Sequence, residues 1–87
     1  MKHAGSDTLA RLEPLLQRLR ALPELKEPRP GAFYRRSRAF LHFHDDPTGL
    51  YADVRLDQYG DFERFKVETD DQGAALIALI QAALRAS

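Results

Sequence analysis

The sequence predicts an α+β fold in two layers: an antiparallel meander of three to four strands carrying an N-terminal and a C-terminal helix on one face. Three observations lead there. Leucines recur at helical spacing near the start, apolar residues alternate with polar ones through the middle, and apolar residues return at helical spacing at the end. Helices at both ends and strands between them are most cheaply buried as helices over one sheet face.

Leu9, Leu12, Leu15, Leu16, Leu19 and Leu22 form one stripe of a helix preceded by the capping candidates Ser6, Asp7 and Thr8, with residues 1–6 read as a flexible start. Pro14 would clash with the preceding turn in a helix interior, so the helix either kinks there or starts near Glu13. Pro23 ends it, and Pro28, Pro30 and Gly31 make residues 23–31 read as a connector.

From Ala32 the period becomes two. Ala39, Leu41 and Phe43 alternate with Phe40, His42 and His44, and Phe33–Arg35 adds a short edge strand before a turn at Arg36-Ser37. Asp45-Asp46-Pro47-Thr48-Gly49 combines carboxylates that bond their own backbone, a fixed φ and a residue free to take positive φ, which closes a hairpin. Leu50, Ala52, Val54 and Leu56 then alternate with Tyr51, Asp53, Arg55 and Asp57, Gly60 marks a turn, and Phe62–Val67 is a strand with Phe65 and Val67 inward. Thr69, Asp70 and Asp71 open the last helix, whose stripe is Leu76, Ile77, Leu79, Ile80, Ala83 and Leu84, ending near Arg85.

A chain of 87 residues is one domain, 1–87, with little core to spare. Its 44% hydrophobic and 30% charged residues exclude a disordered chain, and the lack of cysteine excludes disulfides, thiolate catalysis and zinc–thiolate sites. The start has no apolar leader and no run approaches the ~20 residues of a membrane span, so a cytoplasmic protein without membrane contact is expected. No serine sits in a strand-to-helix elbow and no glycine-rich phosphate loop occurs, so the expectation is a non-enzymatic protein with no cofactor.

Chemistry is expected on the sheet face turned from the helices, which carries Phe40, His42, His44, Tyr51, Asp53, Arg55, Phe62, Arg64 and Lys66. Its plain reading is a solvated face with cross-strand charge pairs. Two histidines at i, i+2 on a strand share a face about 6.6 Å apart, and Asp53 on the next strand would supply a third metal ligand. The same imidazoles would equally serve as base or pH sensor. A basic patch of Arg35, Arg36 and Arg38, within the basic aromatic segment 26–38, offers phosphate contacts. The net charge is zero, however, with nine basic against four acidic residues in 1–44, three against nine in 45–71 and one arginine in 72–87. Internal neutralisation, with the acidic hairpin folded beside the basic one, is therefore expected over nucleic-acid binding.

Glu27-Pro-Arg-Pro-Gly, Leu41-His-Phe-His-Asp and Ala52-Asp-Val together resemble the small luciferase-like domain family: a leucine-rich helix, a proline and glycine connector, a His-x-His strand followed by an acidic residue, and a strand with a central aspartate. The chain departs from that pattern in the turn Asp46-Pro47-Thr48, where the family has glycines, and in lacking a tryptophan near the last strand. Leu22-Pro23-Glu24 through Phe40 is more weakly similar to YjbR-like domains, whose two-layer fold is thought to suit DNA binding. The first resemblance implies a two-layer fold and His42, His44 and Asp53 as the positions of interest; the family name implies no oxidoreductase.

Together these readings give a small binding or interaction module with His42, His44, Tyr51, Asp53 and Arg55 on its binding face. It is expected to form a homodimer through the sheet, where Phe40, Tyr51 and Phe62 would make an aromatic patch. The alternatives are a metal or small-ligand site at His42, His44 and Asp53, or nucleic-acid binding through segment 26–38.

Overall fold

A computed structural model describes residues 2, 3 and 5–86. In chain order the elements are β1 (Lys2–His3), α1 (Ser6–Arg11), α2 (Glu13–Arg20), β2 (Lys26–Arg29), β3 (Ala32–Arg35), β4 (Arg38–Asp46), β5 (Gly49–Val54), β6 (Glu63–Lys66) and α3 (Asp70–Arg85). The expected α+β layout is present, with more strands than expected. The sheet is antiparallel in the order β2-β3-β4-β5-β6, and β1 pairs with β4 through Lys2↔Asp45 and His3↔His44. Thus part of the start read as flexible is a strand.

The N-terminal leucine stripe is divided between two helices. Leu12 leaves helical geometry at φ −92°, ψ 1°, and Pro14 lies in the first turn of α2, where its missing N–H is no loss. The expected side-chain caps are not used. Gly5 is the N-cap of α1 and makes no side-chain bond, while Thr8 is buried and donates through Oγ1 to Asp45 Oδ2 at 2.8 Å, tying α1 to β4. At α3 the expected cap is present: Gln72 N–H donates to Thr69 Oγ1 and the Gln72 side chain accepts from Thr69 N–H.

The connector at 23–31 contains β2, a correction with a clear cause. This edge strand is polar and exposed, so it lacks the alternation that reveals a half-buried strand, and Pro28 is tolerated because an edge strand pairs on one side only. Pro30-Gly31 is its hairpin turn, with Gly31 at φ +79°.

Leucines of α2 and α3's Leu76, Ile77, Ile80 and Leu84 pack with Phe33, Leu41, Phe43, Leu50, Ala52, Val54 and Val67 in one core, and Phe65 packs against it. Leu79, expected in the α3 stripe, is exposed. The predicted face assignment of Leu41, Phe43 and Val54 stands, with one exception next to them. The register shifts by one residue between Phe33↔Leu41 and Tyr34↔Ala39, leaving Phe40 as the extra residue. At such a bulge alternation fails, and Phe40 joins Leu41 in the core at 2% exposure. Phe40 therefore does not belong to the open-face aromatic patch, and Tyr51 and Phe62, its other members, are half-buried.

Candidate metal centre

β4, β5 and β6 pair residue by residue through His42↔Asp53↔Arg64 and His44↔Tyr51↔Lys66. Residues directly opposite in an antiparallel pair lie on one face with Cβ atoms about 4.5–5.5 Å apart, so the i, i+2 histidines meet Asp53 by register alone. The ligating atoms of His42, His44 and Asp53 all lie within 4.8 Å of one another. The imidazoles pack edge to face at 4.9 Å between centroids, and His42 packs on Phe62 at 4.8 Å in the same manner.

Asp53 is the hub. Arg64 donates to it through both arms of the guanidinium, Nε to Oδ1 at 2.7 Å and an Nη2 to Oδ2 at 2.8 Å, and His44 Nε2 lies 2.9 Å from Oδ2. The Arg64 hydrogen bonds hold the Asp53 carboxyl below the usual carboxylate range, against burial, which raises it; the Arg64 charge and the two imidazoles lower it further. A solvated face was expected here, yet Asp53 is only 8% exposed. The long Arg64 side chain, itself exposed, and the rings around it exclude water.

The remaining predicted face residues have other work. Tyr51 OH shares a 2.7 Å hydrogen bond with Thr48 Oγ1 in the hairpin turn. Arg55 donates from Nε to Ala39 O and from Nη1 to Gly60 O, and its guanidinium covers the Phe62 ring at 4.4 Å. Arg55 thus buttresses the 57–61 turn. The structure adds two features the sequence did not single out: the clasp of Arg64 on Asp53, and His3, in register opposite His44. The first follows only from strand register, and the second from a strand too short to leave a pattern.

Arg35, Arg36 and Arg38 lie at the other end of the sheet's long strand, so the acidic hairpin does not neutralise them, although Arg11 and Glu68, 3.7 Å apart, do join the basic and acidic segments. None of the three forms an ion pair among the described residues; Arg38 donates to Gln58 O, and Arg35 is buried. The basic turn and the acidic hairpin tip cap opposite ends of β4, about 26 Å apart by strand rise.

No helix of the described residues is long and apolar enough to cross a membrane. No protein-family model matches the chain, and comparisons with curated proteins and solved structures give no significant match.

Proposed function

We propose that this domain is a small binding module whose open sheet face holds a divalent transition-metal ion through His42, His44 and Asp53. The observation that carries the reading is the convergence of two imidazoles and one carboxylate within 4.8 Å on a rigid three-strand surface. Imidazole and carboxylate donors suit zinc and its first-row neighbours. A tetrahedral ion with bonds of about 2.0–2.2 Å spaces its ligand atoms roughly 3.3–3.5 Å apart, within reach of small rotations of these side chains. Arg64 favours the ionised carboxylate a cation needs and leaves lone pairs of both oxygens available. With three protein ligands, a fourth position stays open for water or a small ligand.

Self-association through the sheet loses its apolar argument, because Phe40 lies in the core and the only large exposed apolar side chains among the described residues are Tyr59 and Leu79. The metal reading is tested by isothermal titration of zinc into the wild-type chain and into His42→Ala with His44→Ala. One ion per chain with micromolar or tighter affinity, lost in the double variant, is expected. Equal heats from both proteins would remove the site.

A further inference from the structure

The hairpin joining β3 to β4 is built on a conformation its residues do not favour. Arg36 and Ser37 sit at φ 52° and 69°, the geometry of a two-residue turn that asparagine and glycine adopt readily and that arginine rarely does. The flanking pair Arg35↔Arg38 brings three arginines to a four-residue loop. Residues held in such regions persist where the surroundings over-determine them, and they cluster at binding sites.

Arg35 supplies an independent observation. Its stem is packed away, leaving the residue only 8% exposed, but no nitrogen of its guanidinium is sealed from solvent and none is held by a hydrogen bond or ion pair with the described residues, whereas Arg20 and Arg64 are both paired with carboxylates. A guanidinium whose stem is fixed by packing and whose donors are unused is pre-organised to meet an anion from solvent. Arg35 and Arg36 both line two openings at this end of the molecule, of about 50 and 320 Å³. The smaller is completed by Arg38 and Arg55, the larger by Glu24 and Leu84. Glu24 is not within ion-pair distance of either arginine. Asp57, on the nearby turn, caps its own loop by accepting from Tyr59 N–H at 3.0 Å.

We infer that the Arg35-Arg36-Ser37-Arg38 turn is a binding site for a phosphate monoester. Guanidinium groups match phosphate oxygens with paired donors, and the four arginines around the smaller opening, of which Arg55 is already engaged by Ala39 O and Gly60 O, suit the doubly charged end of a monoester better than a carboxylate. The adjacent Ser37 hydroxyl offers a further donor. The site is separate from the histidine cluster and stands whether or not that cluster binds metal.

The test is an amide NMR titration of the full chain with inorganic phosphate, against sodium chloride at matched ionic strength. Saturable shifts at Arg36, Ser37 and Arg38 are expected with phosphate alone. Arg36→Gly suits the positive φ, preserves the fold and should weaken binding about tenfold, the loss of one charge-assisted contact. Arg35→Met should abolish binding; if its spectrum is not that of a folded protein, Arg36→Gly together with the exposed Arg38→Gln decides. Glu24→Gln should tighten binding by removing a like charge. Shifts that chloride reproduces, or a phosphate affinity unchanged in Arg36→Gly with Arg38→Gln, would overturn the site. A short oligonucleotide with a 5′-phosphate should compete, while its 5′-hydroxyl counterpart should not; equal competition by both would assign the arginines to a phosphodiester strand and overturn the monoester.

Discussion

At Phe40 one residue decides what the open face is. Strict alternation puts it beside His42, in water; the bulge puts it in the core, and substitution tells the two apart. Phe40→Ala is expected to cost about 3–5 kcal/mol in denaturant unfolding, as for a buried aromatic. Phe62→Ala should lose only about 1 kcal/mol, chiefly its contact with Arg55. Near-equal losses would return Phe40 to the surface. Gly31 is a second single-residue constraint. At φ +79° a Cβ is strained and would lie 2.6 Å from Leu9 Cδ2, the end of a side chain that can turn aside, so Gly31→Ala is expected to destabilise by about 1–2 kcal/mol, chiefly through the backbone. A melting temperature unchanged by it would contradict the left-handed conformation of the Pro30-Gly31 turn. The inward residues Leu41, Phe43, Val54 and Val67 were legible from period-two alternation because each obeys a local rule. Phe40 was not, since a bulge exists only relative to a partner strand distant in sequence.

Among the elements, the β2–β3 hairpin is held to α2 by one carboxylate. Glu27 accepts from Arg20 Nε at 2.6 Å and an Nη at 3.1 Å, and from Gly31 N–H at 2.9 Å. The Arg20 hydrogen bond first, then Gly31 and the Arg20 charge, lower the Glu27 pKa against burial, which raises it. A depressed folded pKa stabilises the protein above the unfolded value, near 4.3, and that contribution disappears as pH falls through the folded value. Glu27→Gln should therefore lower stability at pH 7, by roughly 0.5–1.5 kcal/mol given Arg20's exposure, with a gap from wild type that closes below about pH 4.5. A gap constant from pH 7 to 3 would mean the charge is irrelevant. In the β3–β4 turn, Ser37→Gly relieves a positive φ and is expected to stabilise by about 0.5–1 kcal/mol. Strands β4 and β5 and both ends of α3 were legible because pattern and capping residues agree there. β2 was not, because its stability comes from the Glu27 clamp and its pairing with β3 rather than from an apolar face.

For the whole molecule, the radius of gyration of 11.9 Å matches the roughly 12 Å of a compact folded chain this long. The sheet's outer strands are protected against edge pairing: β2 carries Lys26, Pro28 and Arg29, and β6 carries Glu63, Arg64 and Lys66. Sedimentation equilibrium is expected to return the mass of one chain at micromolar concentration; a dimer there would place its contact elsewhere than on an apolar sheet face. The candidate centre was half legible at this scale. His-x-His and an aspartate one hairpin away identify His42, His44 and Asp53 from spacing, while Arg64 enters only when the third strand takes its register. Zinc binding by His42, His44 and Asp53 is tested most directly by crystals grown with zinc and measured at the zinc absorption edge. One anomalous peak is expected, about 2.0–2.2 Å from an imidazole nitrogen of His42, one of His44 and an oxygen of Asp53. A zinc-containing crystal with peaks only at surface carboxylates, and the Arg64–Asp53 pair unchanged, would contradict it.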